Sequence, residues 1–163
     1  MSVSAARPGW RFLWSDPAHL LAFGFGAGLA PVAPGTAGTL VGVPVVVVLQ
    51  GFGPMVYGVA CLFAFVLGCW AAGRTSRHLG VHDHGGIVWD EVVGYLVTMA
   101  VLPSEAGWLM AGFASFRAFD IIKPWPISWL DKRVRGGCGI MLDDVAAGAG
   151  AGLLLWGAGR LLY

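Results

Sequence analysis

Charged residues are scarce in this sequence, since Asp, Glu, Lys and Arg together make up only 12% of its 163 residues. A soluble domain carries roughly a quarter of such residues. None of the four occurs between Pro17 and Gly73, a stretch far longer than the ~20 residues of one membrane-spanning helix. Together with a mean hydropathy of +0.74, this scarcity argues against an ordinary soluble domain and predicts a membrane protein whose chain folds back on itself.

Cysteine is also rare, and the three cysteines form no recognisable motif. Cys61, Cys69 and Cys138 include no C-x-x-C pair, and an odd number fits no disulfide framework. The formal net charge is only +1, so no basic field favours a nucleic-acid partner. These observations argue against a disulfide-stabilised secreted scaffold and against a nucleic-acid-binding protein.

The first 19 residues lack the uninterrupted apolar segment of a cleaved signal peptide, because Asp16, Pro17 and His19 interrupt it. Tryptophans beside arginines are typical of segments that lie at the headgroup level of a membrane. We therefore predict one domain over residues 1–163, in which residues 1–19 form an interfacial leader. The predicted anchor residues are Arg7, Trp10, Arg11, Phe12, Leu13 and Trp14.

Apolar runs separated by Gly and Pro predict an all-α, compact polytopic membrane helical bundle of about four to five membrane helices. Gly51-Phe52-Gly53-Pro54 separates the first two helices, and Pro103 and Pro124 end two others. The first helix contains Pro44 and is short for a full span, so it either crosses the bilayer or is re-entrant. The predicted helices cover residues 39–49, 55–72, 87–102, 105–122 and 140–162.

Two further segments are predicted to be irregular. Residues 24–39 are too rich in Gly and Pro for a regular helix, and such backbone survives at membrane depth only where protein buries it or a wet cavity adjoins it. Residues 131–139 are predicted to form a polar, glycine-rich loop.

An up-and-down helix path returns both segments and the acidic motifs to one membrane face. Nine of the ten Lys and Arg residues fall on that face, and the positive-inside bias makes it cytoplasmic.

The sequence has only nine acidic residues, and five of them are candidates for a metal site. Ionisable groups are costly at an apolar boundary and are functional candidates there by default. Carboxylates brought together repel one another unless a cation binds them, and Mg²⁺ prefers oxygen ligands of this kind. For the Asp90-Glu91 pair, the alternative is a helix N-terminus favoured by its dipole. The predicted metal ligands are Asp90, Glu91, Asp120, Asp143 and Asp144.

Candidate phosphate-binding groups accompany these acids. Arg117 lies three residues before Asp120 on the same helical face, and Lys123 follows three residues later. Thr36 and Thr39 add hydroxyl groups at the predicted start of a helix, where backbone N–H groups bind anions. The structural alternatives are that Thr39 only caps the helix and that Arg117 is a salt-bridged or snorkelling arginine.

Two histidines lie in the loop before the acidic pair. His84 is a candidate general base, and the alternative is that His82 and His84 are both surface residues, since their spacing alone is no metal signature.

Acids for a metal, cations for phosphate and an apolar body for acyl chains together favour chemistry on a phospholipid headgroup.

Three blocks of the sequence resemble the phosphatidylglycerophosphatase A family of bacterial membrane lipid phosphatases. They are residues 24–39 (GFGAGLAPVAPGTAGT), 83–94 (DHGGIVWDEVVG) and 116–148 (FRAFDIIKPWPISWLDKRVRGGCGIMLDDVAAG), within a resemblance that covers most of residues 20–150. Cys138 stands where the family typically has another small or apolar residue. The family's motif positions fall on Asp83, Asp90, Glu91, Asp120, Lys123, Asp131, Asp143 and Asp144.

The resemblance implies a multi-pass, Mg²⁺-dependent enzyme of the bacterial inner membrane, with its active site on the cytoplasmic face. Its expected reaction is hydrolysis of phosphatidylglycerophosphate to phosphatidylglycerol and phosphate. On this basis Asp83 joins the expected catalytic residues and Asp131 the expected substrate-binding residues. The expected partners are this substrate and membrane lipids.

The predicted mechanism is metal-assisted hydrolysis with direct attack by water, because the D-x-D arrangement common to phosphoaspartate phosphatases is absent. Two other functions stay open. Asp143-Asp144-x-x-Ala-Gly faintly resembles CDP-alcohol phosphotransferases, which transfer lipid headgroups, although no further carboxylate follows Asp144. The second open function is that of a non-enzymatic ion-binding membrane protein. Such a protein is expected to have acidic residues near the bilayer midplane and internal symmetry. Oligomeric state, the number of metal ions and acyl-chain preference are left open.

Overall fold

The computed structural model describes the backbone of residues 8–162 and the side chains in that range except those of Asp131 and Leu162. Helices make up 78% of the chain, and no strand occurs in the described range, so the all-α prediction is confirmed. The helices are α1 (Trp10–Leu13), α2 (Pro17–Ala22), a 3₁₀ helix (Gly24–Leu29), α3 (Pro34–Gln50), α4 (Pro54–Leu79), α5 (Trp89–Met99), α6 (Ala106–Ile122), α7 (Ile127–Arg133) and α8 (Gly136–Leu162).

The third helix begins earlier than predicted. Irregular backbone was expected through residue 39, but it ends at Ala33, whose φ of 47° is left-handed, and α3 starts at Pro34. Proline suits the first position of a helix because its fixed φ is helical and the N–H it lacks would have no intrahelical partner. Pro44 lies inside α3 without dividing it. The prediction for residues 34–39 was therefore wrong, and Thr36 and Thr39 lie within the helix.

Other boundaries also differ from the prediction, including those of α5, which was expected over residues 87–102 and covers Trp89–Met99. α4 continues to Leu79 and stops at Gly80, whose φ is 67°, because the basic residues after residue 72 extend the helix instead of breaking it. The predicted loop over residues 131–139 was wrong, since α7 reaches Arg133 and α8 begins at Gly136. In contrast, α6 covers Ala106–Ile122, as predicted to within one residue.

Two helices, Pro54–Leu79 in α4 and Gly136–Leu161 in α8, are long and apolar enough to cross a membrane, and α3 is a shorter apolar helix. The predicted count of four to five spans is not confirmed. Large apolar side chains nevertheless lie exposed on several helices, as expected for a surface that faces acyl chains. They include Leu40, Val47, Val48, Val59, Leu62, Phe63, Val66, Met110, Leu153 and Leu154.

Glycines allow α5 and α8 to approach closely enough to bring acidic residues together. A β-carbon at Gly148 would overlap the carbonyl oxygen of Gly94, and one at Gly94 would lie 2.8 Å from the carbonyl oxygen of Asp144. Small residues permit this kind of backbone approach between membrane helices. The start of α5, with Asp90 and Glu91, therefore lies beside the part of α8 that contains Asp144.

The N-terminal helices are fastened to the end of α4. Asp16 caps α2 by accepting a hydrogen bond of 2.9 Å from the N–H of Ala18, and Arg74 Nε donates to its other oxygen at 2.6 Å. These two donors hold the pKa of Asp16 below its usual range. Burial lowers the pKa of His19, whose ring stacks on Phe12.

The predicted interfacial anchor is only partly exposed. Trp10 and Trp14 are exposed, as an anchor requires, but Leu13 is buried in the helical core, so its assignment as an anchor was wrong. Arg7 lies outside the described residues. Placement of the two tryptophans in the membrane interface stays a prediction.

Candidate active site

Parts of four helices meet at one end of the bundle. The N-terminus of α3 and that of α5 lie there with the second and third turns of α8 and the C-terminal turns of α6. Their polar side chains come from separate parts of the sequence, and each occupies a mainly apolar helix. The acidic residues of α5, α6 and α8 therefore lie close together, as expected, whereas the predicted path across a bilayer stays a prediction.

Three carboxylates form the centre of this site. One oxygen each from Asp90, Glu91 and Asp144 lies within 4.8 Å of the others. Asp90 Oδ1, Glu91 Oε2 and Asp144 Oδ2 are buried and have no hydrogen-bond partner within the part of the chain that the structure describes. Buried charge is costly unless it is compensated, and three convergent carboxylates with free oxygens suit a hard divalent cation. These residues fit a Mg²⁺ site.

The other two predicted metal ligands are bound to cations of the protein. Asp120 Oδ2 lies 2.5 Å from Arg117 Nη1, and Asp143 Oδ2 lies 2.5 Å from Lys123 Nζ. Asp120 also lies close enough to Asp144 for their carboxyl groups to interact. The predicted group of five acids is thus divided into a central trio and two ion pairs beside it. A direct metal role for Asp120 and Asp143 stays a prediction.

Arg117 connects the carboxylates to the start of α3. Its Nη1 is 3.7 Å from Glu91 Oε1, and its Nε is buried without a partner among the described residues. A β-carbon at Gly35 would overlap Glu91 Oε1 and would lie 3.1 Å from both terminal nitrogens of Arg117. Glycine at this position therefore lets the positive end of the α3 dipole approach the guanidinium and the carboxylates.

The two threonines of α3 lie at different depths. Thr36 is half-buried on the first turn, next to Gly35. Thr39 is fully buried, and its hydroxyl donates a 2.9 Å hydrogen bond to the carbonyl oxygen of Gly35. Thr36 is thus the better placed of the two for the predicted contact with phosphate, because the hydroxyl proton of Thr39 is already used within the helix.

The other predicted site residues lie around this centre. Asp83 is exposed and lines a small cavity of about 40 Å³ together with His82 and Asp143. His84 is half-buried and lines a separate cavity. The side chain of Asp131 lies outside the described part of the structure, so its predicted role is untested.

Two features that position the site were not predicted. The Lys123–Asp143 pair joins α6 to α8 across 20 residues, and no local spacing indicates it. Trp89 Nε1 donates a 3.0 Å hydrogen bond to the carbonyl oxygen of Ala64 and so fixes the start of α5 against α4. The sequence contained one signal for this hydrogen bond, because the indole N–H of a buried tryptophan needs a hydrogen-bond partner.

Comparisons with known proteins identify the family of this chain. The family model described as phosphatidylglycerophosphatase A matches residues 20–158. The phosphatidylglycerophosphatase A of Escherichia coli strain K12 is 44% identical over 146 residues, covering 88% of this chain and 85% of the relative. The protein of the same name from Haemophilus influenzae is 47% identical over 134 residues, covering 81% and 82%.

A more distant relative has a different name. A Bacteroides thetaiotaomicron protein, provisionally named a phosphatidylinositol-3-phosphatase, is 35% identical over 145 residues, covering 83% of this chain and 89% of the relative. No solved structure was found to match the chain. The family match spans the carboxylate trio, Arg117 and the start of α3. The chain therefore belongs to the phosphatidylglycerophosphatase A family and is a phosphatase.

Proposed function

We propose that this protein is a Mg²⁺-dependent lipid phosphatase that hydrolyses phosphatidylglycerophosphate to phosphatidylglycerol and phosphate. The observation that supports this most is the carboxylate trio, each member of which has a buried oxygen without a partner among the described residues, beside the Arg117 guanidinium and the start of α3. A phosphate monoester carries up to two negative charges, so it requires both a cation and hydrogen-bond donors. The names of the relatives supply the substrate.

Asp90, Glu91 and Asp144 would hold the cation, with Asp120 beside them. When bound, Mg²⁺ would neutralise the phosphate and orient the attacking group. Arg117 would donate to phosphate oxygens through its terminal nitrogens and stabilise the charge that develops during transfer. We propose direct attack by water, with one of the clustered carboxylates accepting its proton. Attack by a carboxylate, which forms a phosphoaspartate, is the alternative.

The surroundings of the site suit a substrate held in a membrane. Apolar side chains lie exposed along α3, α4 and α8, and they would face the acyl chains. Gly73 packs on Gly137, so the basic C-terminal end of α4 lies at the same end of the bundle as the start of α8. We propose that this basic end faces the bacterial cytoplasm, as the positive-inside bias favours.

Purified protein in detergent micelles tests the reaction. Phosphate release from phosphatidylglycerophosphate should require added Mg²⁺ and stop with EDTA. Phosphatidylinositol 3-phosphate and phosphatidic acid serve as competing substrates, since one relative is named for the former. Turnover that prefers either of these would refute the proposed substrate, whereas consumption of a CDP-activated lipid without phosphate release would indicate a headgroup transferase.

Arg117→Lys tests whether the guanidinium group binds the phosphate through two hydrogen bonds. We expect a loss in kcat/KM of roughly 2 kcal/mol or more, the range of a charge-assisted hydrogen bond, because lysine cannot reproduce the planar fork of arginine. Lys123→Arg should retain much of the activity, since lysine there acts as a point charge. The measurement is steady-state kinetics of protein with an unchanged melting temperature.

The competing interpretation is that Arg117 only pairs with Asp120, which lies 2.5 Å away. A lysine at position 117 also pairs with a carboxylate, so both stability and rate would then change little. An active Arg117→Lys enzyme would therefore remove the phosphate contact from the mechanism.

Arg135→Cys, in a background without the three native cysteines, tests the proposed orientation. Arg135 is exposed between α7 and α8, so its replacement presents an accessible thiol. A membrane-impermeant maleimide should label this thiol in inverted vesicles and not in intact spheroplasts. Labelling in intact spheroplasts and not in inverted vesicles would reverse the assigned face.

A further inference from the structure

We propose that a cavity beside the start of α3 binds the glycerol unit that links the two phosphates of the headgroup, and that His84 donates a hydrogen bond to its hydroxyl group. The inference rests on the proposed function and concerns how the substrate is selected. It also assigns His84 to binding, whereas the sequence suggested a general base.

The cavity has a volume of about 260 Å³ and lies between the 3₁₀ segment and the loop before α5. One water occupies about 30 Å³ in the liquid, so the cavity has room for roughly nine waters or for a three-carbon unit. Pro34 lines the cavity, and the next residue, Gly35, lies against Glu91 and Arg117. A monoester phosphate at the carboxylate trio would therefore place the adjoining part of its headgroup near this cavity.

The walls of the cavity are mainly apolar. Phe23, Leu29, Pro31 and Pro34 contribute carbon surface, and no Lys or Arg belongs to the lining that the structure describes. A second phosphate group would need cations or several donors, so the cavity does not suit the phosphodiester. Glycerol that bridges two phosphates has one free hydroxyl and otherwise C–H surface. An apolar cavity with one side-chain donor matches that unit.

The hydrogen bonding of His84 determines which role its ring can take. Its Nδ1 accepts a 3.0 Å hydrogen bond from the N–H of Gly86. The neutral ring therefore carries its proton on Nε2, for which no protein partner occurs among the described residues. Gly86 is itself held in place, because a β-carbon there would overlap Phe23. His84 in this orientation is a donor through Nε2 and not a base.

Two substitutions distinguish the roles of the two ring nitrogens of His84. Asparagine places an amide oxygen near the position of Nδ1 but does not reach Nε2, whereas glutamine places an amide N–H near Nε2. We expect His84→Asn to raise KM for phosphatidylglycerophosphate roughly tenfold, the scale of one hydrogen bond, with kcat little changed. His84→Gln should stay within about threefold of the wild type. His78→Asn is the matched control, since His78 lies on α4 outside the cavity lining and its ring, like that of His84, has one hydrogen-bonded nitrogen, Nδ1, which lies 3.0 Å from His19 Nε2.

Several outcomes decide the assignment. Equal kinetics of His84→Asn and the wild type would overturn it. A fall in kcat for both variants, with loss of the acidic limb of the pH–rate profile, would restore His84 as the general base. Phosphatidic acid lacks the linking glycerol, so a loss of equal size on that substrate would also overturn the proposal. Failure of the wild type to hydrolyse phosphatidylglycerophosphate would instead refute the proposed function.

Discussion

Replacing Asp90 or Asp144 by asparagine is expected to lower kcat at least a hundredfold, roughly the scale of one lost electrostatic interaction in a transition state. Both side chains are buried, and each has an oxygen without a partner among the residues that the structure describes. Each substitution removes the charge of a proposed cation ligand but keeps nearly the same shape. The effect should therefore fall on cation binding and the chemical step, and folding should be preserved.

Stability provides the second measurement for the same variants. Without a divalent cation, the three carboxylates of the trio repel one another, so either substitution should leave the melting temperature in EDTA unchanged or higher. Added Mg²⁺ should raise the melting temperature of the wild type more than that of the variants, because binding to the folded state is stabilising.

Glu105→Gln is the matched control, since Glu105 is exposed at the opposite end of α6. It makes the same change of charge away from the site. Asp90→Asn and Asp144→Asn proteins with near-normal rates at limiting Mg²⁺ would remove the trio as the metal site. A rate loss accompanied by a large fall in melting temperature would indicate a structural role instead.

Gly35→Ala should reduce kcat/KM about a hundredfold, the cost that a displacement of about 1 Å can have at a reacting centre. The added methyl group would overlap Glu91 Oε1 and would lie 3.1 Å from two nitrogens of Arg117. These side chains must therefore move away from the start of α3. One added carbon atom would thus displace both the carboxylate proposed to bind the cation and the guanidinium proposed to bind the phosphate.

Gly58→Ala is the control for this substitution. A β-carbon at Gly58 on α4 meets no atom within 4 Å, so alanine there should keep activity and stabilise the helix by up to about 1 kcal/mol. Kinetics and melting temperatures of both variants provide the comparison. Full activity of Gly35→Ala would show that the close approach of α3 to Arg117 has no part in catalysis.

The all-α class and the identity of the acidic residues followed from the sequence alone. Apolar runs bounded by Pro and Gly indicate helices through local preferences, which is why α6 was predicted to within one residue. The scarcity of acids in an apolar chain likewise marked Asp90, Glu91 and Asp144 as candidates without any structural information. These signals are local, because each depends on a residue type and its near neighbours.

The partners of these residues were decided by the tertiary structure. Asp143 and Asp144 are adjacent in the sequence, but successive residues of a helix point about 100° apart, so Asp144 lies beside Asp90 and Glu91 while Asp143 pairs with Lys123. Which side each one faces depends on how glycines let α5 and α8 pack. The orientation of His84, set by the N–H of Gly86, is equally invisible in the sequence. Helix formation depends on neighbours in the chain, whereas the division of the acids between the carboxylate trio and the ion pairs depends on contacts between helices that are distant in sequence.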